Sequence, residues 1–175
     1  MDSLSEVQYP IGKFEKPAVC TQEMINQGIE DIANFPILLR QEVENLDEKS
    51  LLKTYRPNGW TIQQIVHHCA DSHINSFTRF KLALTEDSPI IKPYEEALWA
   101  ELPDTLNYPI HTSLALLDAL HLRWVYLLKS LTSEQLERKF IHPASGSEVI
   151  LKNAILSYAW HGKHHLAHIK LAKNN

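Results

Sequence analysis

Seven of the 10 histidines in this chain fall into two groups. His67, His68 and His73 form one, and His161, His164, His165 and His168 form the other. An imidazole that is neutral near pH 7 offers one nitrogen lone pair and suits divalent transition metals. His161 and His165 are four residues apart, so on an α-helix they stack one turn above the other and can grip one ion together. His168 continues that stripe, and His164 points toward the polar side. Such a pair still needs a ligand from elsewhere. His67 and His68 are candidates, about 100° apart around a helix, with His73 on its apolar stripe. Periodicity leaves the choice between His67 and His68 open, since both flank the core. His111, His121 and His142 stand alone in the sequence and are assigned no role.

Helices must position these rings. From Thr21 to about Leu46, Met24, Ile25, Ile29, Ile32, Leu38, Leu39, Val43 and Leu46 recur at helical spacing. Pro36 interrupts this run and is expected to kink or divide it. Residues 1–20 read as an irregular lead-in, and 47–60 as a polar connection ending in the turn Pro57-Asn58-Gly59. Thr61 and Gln64 make a capping box that starts a second helix. Ile62, Ile65, Val66, Cys69, His73, Phe77, Phe80 and Leu84 share its apolar face.

Pro89 and Pro93 stop that helix, and Tyr94 to Leu102 can form a short one within a long connection. Thr112 or Ser113 is expected to cap a third helix reaching about Leu131, with Leu116, Leu117, Leu120, Trp124, Leu127 and Leu128 on its core stripe. Thr132 with Gln135 repeats the capping box for a brief turn. After a loop at His142–Ser147, a fourth helix runs from about Val149 to Lys173, burying Leu151, Ile155, Tyr158, Gly162, Leu166 and Ile169. The expected fold is all-α: a four-helix bundle with a long crossover between the second and third helices, short extra helices, and a single domain over residues 1–175.

Composition narrows the function classes. Net charge is −4 with scattered basic residues, so no nucleic-acid footprint is expected. No apolar run approaches the roughly 18–20 residues of a membrane span. The first residues, with Asp2, lack the basic start and apolar stretch of a signal peptide, and 2 cysteines are too few for a disulfide scaffold. A cytoplasmic protein is expected. No glycine-rich phosphate loop occurs, Cys69 reads as a small buried residue, and Glu95, Glu96 and Glu101 read as solvated acids that could supply a carboxylate.

Longer stretches carry a family resemblance. Gly59-Trp60-Thr61, His67-His68-Cys69-Ala70-Asp71-Ser72-His73, Asn75-Ser76 and Arg79-Phe80-Lys81-Leu82 resemble the signature of YfiT-type proteins in the DinB-like superfamily. Tyr9-Pro10-Ile11-Gly12, Leu84-Thr85-Glu86, Lys92-Pro93-Tyr94 and Ala97 to Leu102 agree with it, as do Trp160-His161 and His164-His165-Leu166-Ala167-His168-Ile169. The similarity covers nearly the whole chain. It implies a four-helix bundle holding one zinc or nickel ion on three histidines. Position by position these are His68, the second of the adjacent pair, with His161 and His165. It also implies a cytoplasmic homodimer acting on a small molecule. Family members are provisionally described as metal-dependent hydrolases, and some relatives transfer the thiol bacillithiol onto electrophiles. Cys69 departs from the aliphatic residue of the pattern and Asn58 from a glycine; neither touches the implied ligands.

Three neutral imidazoles leave a coordination position open, as catalytic sites do, whereas structural zinc is usually closed by four protein ligands. Hydrolysis would use the ion to make hydroxide near pH 7. Thiol transfer would use it to hold a thiolate. A non-catalytic bundle that the ion merely stabilises is the remaining reading. Asp71, three residues after His68, and His168 are candidates to orient a ligand or water.

Overall fold

The computed structural model describes residues 4–143 and 146–175, with side chains from Glu6 onward. Asp2 and part of the 142–147 loop therefore lie outside the described residues. In order come α1 (Leu4–Gln8), α2 (Gln22–Val43), α3 (Glu48–Leu51), α4 (Ile62–Thr85), α5 (Glu96–Trp99), α6 (Pro103–Asn107), α7 (His111–Lys129) and α8 (Ser133–Leu136). The strands β1 (Lys139–His142) and β2 (Ser147–Ile150) precede α9 (Leu151–Asn174).

The long helices α2, α4, α7 and α9 form the bundle. Contact runs from α2 to both α7 and α9, and from α4 to the same two, so α2 and α4 share neighbours across the bundle. The long crossover between α4 and α7 is present and carries α5 and α6. Among the described residues, no helix is long and apolar enough to cross a membrane.

Local chemistry explains the helix starts. Thr21 accepts the Met24 N–H at 3.2 Å. Thr61 and Gln64 close the expected capping box, and Thr132 and Gln135 close the other. The expected cap of the third helix fails, because α7 already begins at His111. Thr112 donates its hydroxyl to the Pro109 carbonyl instead, and the Ser113 hydroxyl pairs with His67. Leu116 is correspondingly exposed, and the inward stripe is Leu114, Leu117, His121, Trp124 and Leu128.

Three further expectations need correction. Pro36 does not divide α2, which is continuous through it. The proline removes one backbone donor, and the Ile32 carbonyl it leaves free accepts from His121 Nδ1 at 2.7 Å. The connections also hold helices: α1 forms within the expected irregular lead-in and α3 within the expected polar connection, with Asp47 capping α3 through the Ser50 N–H. Finally, residues 139–142 and 147–150 pair as antiparallel strands, Lys139 with Ile150 and Phe140 with Val149, so α9 starts at Leu151. Ile141 bonds the crossover on both sides, to the Ile91 N–H at 3.0 Å and the Pro89 carbonyl at 2.8 Å.

The apolar interior forms two clusters, one around Phe35, Leu39, Ile65 and Ile169, the other around Ile32, Phe80, Trp124 and Ile155. Side-chain imidazoles bridge them: the Phe35 ring lies 5.0 Å from His73 and 5.7 Å from His121. Gly162, flanked by the α9 histidines, allows α2 this close. A Cβ there would stand 2.8 Å from Phe35 Cδ2.

Candidate metal centre

α4 and α9 bring three imidazoles together. His68, His161 and His165 each offer a ring nitrogen, and these three atoms lie within 4.8 Å of one another. His68 and His165 are buried, while His161 keeps part of its surface open. His68 Nε2 stands 3.3 Å from His161 Nε2. Two nitrogens bound at about 2.0–2.1 Å to one tetrahedral zinc stand roughly 3.4 Å apart, so the spacing suits a shared ion.

His67 turns elsewhere. Its Nε2 donates to the Tyr108 carbonyl at 2.9 Å, leaving Nδ1 to accept from the Ser113 hydroxyl at 2.8 Å. Both nitrogens are used at the start of α7. The pair that periodicity could not separate is thus split by contacts from the crossover.

The three clustered rings open onto a cavity of about 450 Å³. Tyr55, Arg56, Trp60, Glu96, Trp160 and His164 are among its lining. Trp60 packs against His68 with ring centroids 4.7 Å apart. Ser72 Oγ reaches within 3.5 Å of His161 Nε2 and of the Tyr158 hydroxyl.

On its other side His161 belongs to a line of rings. Its Nδ1 meets His73 Nε2 at 3.2 Å, and His73 Nδ1 meets His121 Nε2 at 2.7 Å. The line ends at the Ile32 carbonyl. His121 had no reading from the sequence because it stands alone there, although it falls on the 114, 117, 121, 124, 128 repeat of α7. The outer partner of His161 is therefore His73, and neither Asp71 nor His168 occupies that position.

His168 instead donates Nε2 to the Gln8 carbonyl at 3.1 Å and stacks on Tyr55 at 3.9 Å. Asp71 is half-buried. Burial first, then the Asp104 charge, push its carboxyl up to about 6. His164 does not face the polar side. It is buried, stacked 4.5 Å from Trp160 and 5.9 Å from Tyr9, because the segment after α1 covers that face of α9. Trp160 Nε1 holds this cover by donating to the Gly12 carbonyl.

Burial dominates the electrostatics. It lowers His68, His121, His164 and His168 to about 4, and takes His73, His161 and His165 well below the ordinary imidazole value. Neighbouring imidazoles push the same way for the clustered rings. All are neutral near pH 7, the state in which imidazole ligates. The buried Nδ1 of His165 has no hydrogen-bond partner among the described residues, and that ring holds a lone pair in reserve. Burial raises the Cys69 thiol instead, so it supplies no thiolate. Three neutral nitrogen donors that burial keeps unprotonated fit a borderline divalent ion.

Known proteins share the fold and much of the sequence. A family model described as the DinB superfamily matches residues 37–169. A relative from Bacillus cereus strain B4264 is 52% identical over 166 residues, covering 95% of each chain. One from Bacillus mycoides strain KBAB4 is 51% identical over 166 residues with the same coverage. Both are provisionally named metal-dependent hydrolase. The solved structure of YfiT from Bacillus subtilis is 43% identical and covers 97% of each chain with a TM-score of 0.93. It is described as a probable metal-dependent hydrolase with an unusual four-helix bundle topology.

Proposed function

This chain belongs to the DinB superfamily, and from that premise we propose that it is a hydrolase of small molecules whose His68, His161 and His165 hold one divalent ion, zinc or nickel. The observation that carries this reading is the meeting of three ring nitrogens within 4.8 Å at the floor of a cavity. A structural ion would want a fourth protein ligand. Among the described residues the group that could ligate together is these three alone, which favours an open, catalytic position.

Bound there, a divalent ion supplies Lewis acidity and lowers the pKa of water from about 15.7 to about 7. The chain supplies the rest. His68, His161 and His165 stay unprotonated because burial disfavours their charged forms. Trp60 and Trp160 line the cavity with apolar ring surface. Glu96 is the carboxylate of that lining, and partial desolvation raises its pKa above the ordinary carboxylate value against the lowering pull of Arg79. Taking up the proton released from water is its part in the reading.

Elemental analysis tests the site. Purified protein is expected to hold close to one metal equivalent and His68→Ala little, with unchanged circular dichroism. Metal kept by His68→Ala but lost by His67→Ala would overturn the ligand choice. An ester and amide panel, run with and without chelator, then tests the chemistry. Turnover that requires an added thiol and conjugates it to an electrophile such as monochlorobimane would replace hydrolysis with thiol transfer.

A further inference from the structure

We propose that His73 and His121, anchored on the carbonyl that Pro36 leaves free, lock His161 as its Nδ1–H tautomer and so aim its Nε2 lone pair at the cluster. The order of hydrogens follows from the anchor. A carbonyl only accepts, so His121 Nδ1 must donate to Ile32, across 2.7 Å. His121 Nε2 is then the acceptor in its 2.7 Å bond, and His73 Nδ1 the donor. His73 Nε2 in turn accepts, across 3.2 Å, and His161 Nδ1 donates. Three links hold three hydrogens, one for each neutral ring.

The reverse order fails at one point. It would set a lone pair of His121 against the lone pairs of the Ile32 oxygen at 2.7 Å inside the core. His73 is 1% exposed and His121 2%, so water cannot relieve such a clash. The anchor depends on Pro36. In an uninterrupted helix the residue-36 N–H would bond to the residue-32 carbonyl, and the proline has none. A residue that looks like a helix breaker thus frees the acceptor that starts the line.

A metal-bound imidazole commonly gives its other N–H to an outer acceptor, which fixes the tautomer and raises ligand basicity. Here the acceptor is another imidazole, itself fixed by a third, so His73 and His121 are positioning residues. The consequence for the ion rests on the metal reading above. The tautomer order does not.

The experiment uses the full chain, stripped of metal and labelled with ¹⁵N in the histidine rings. Long-range ¹H–¹⁵N spectra near pH 7.5 are expected to show Nδ1–H forms for His73, His121 and His161. An Nε2–H form of His161 would overturn the lock. Chelator-competition titrations with zinc then compare variants. His121→Leu, one bond further out than His73, is expected to bind zinc about 10-fold more weakly, the low end of the cost of losing an outer-shell partner. His121→Gln, whose amide can donate to Ile32 and accept from His73, is expected to recover most of that loss. Unchanged zinc affinity in a folded His121→Leu, or no recovery in His121→Gln, would overturn the positioning role. If His121→Leu does not fold, His121→Gln against the parent still decides, since its amide must keep His161 in the Nδ1–H form. A parent that shows the three tautomers but takes up no zinc would support the lock while removing the metal reading.

Discussion

His161 and His168 lie on the same helix, two turns apart, and hold their protons on opposite nitrogens. His161 donates from Nδ1 into a line of buried rings, and His168 donates from Nε2 to the Gln8 carbonyl. On the core side, His73 and His121 use both nitrogens. On the cavity side, His164, His165 and His168 each keep an Nδ1 without a hydrogen-bond partner among the described residues. One half of the histidine cluster is closed and directional; the other is covered by aromatic rings and the segment after α1. Directed hydrogen bonds thus lie behind the candidate ligands, and ring stacking in front of them.

Charge does not separate the two halves, and acid tests that shared premise with the largest effect. Burial puts His121 on one side, and His164 and His168 on the other, at about 4, against 6.5 for the ordinary group. Between those values the unfolded chain binds more protons, so stability is complete above about pH 6.5 and is lost as pH falls toward 4. His68 and His121, both buried, each account for about 3 kcal/mol of that loss at one pKa unit per 1.36 kcal/mol. Asp71 opposes the trend, because its raised pKa makes the folded state bind the extra proton between 3.8 and about 6. Urea unfolding of the metal-free protein from pH 8 to pH 4 measures the slope. A flat profile would mean that the rings accept protons where they sit.

Hydrogen bonding should separate the halves where charge does not. His73→Leu strands two buried atoms, His121 Nε2 and the N–H of His161. At about 1–3 kcal/mol for each unpaired group, the loss in unfolding free energy is about 2–6 kcal/mol. His164→Leu removes a stacked ring beside Trp160 and leaves no such pair. Loss of the stack, worth about 0.5–1.5 kcal/mol, is offset by removal of a buried Nδ1 that has no partner among the described residues, so the cost is expected below about 1 kcal/mol. Equal losses at the two positions would erase the distinction.

The sequence showed the bundle more clearly than it showed this division. Thr61 with Gln64 and Thr132 with Gln135 are local devices, and each marks a helix start that forms. His161 and His165 are legible for the same reason, being one turn apart. What escapes is set by partners distant in sequence. Tyr108 and Ser113 claim His67 from across the crossover, and Tyr9 hides a face of α9 that periodicity assigns to solvent. Pro36 reads as an interruption because the use of the freed carbonyl lies 89 residues away at His121. His121 carried a signal in its heptad-like stripe, yet without neighbouring histidines nothing in the sequence ties it to the cluster. The hairpin escaped because four-residue strands are too short for alternation to declare them.

The smallest expected effect is the sharpest test of where the boundary runs. His168→Phe keeps an aromatic ring on Tyr55, whose centroid is 3.9 Å away. It removes the bond to the Gln8 carbonyl and, with it, the unpaired Nδ1. Loss of a hydrogen bond and relief of an unsatisfied buried atom act in opposite directions, so the net change in unfolding free energy is expected within about 1 kcal/mol. Zinc affinity by chelator competition is expected to stay within about threefold of the parent, since no bond joins His168 to the three clustered nitrogens. A fall of the 10–100-fold that outer-shell partners command would place His168 among the residues that orient the ligands. The cavity side would then be as directional as the core side, and the ion would be braced from both faces.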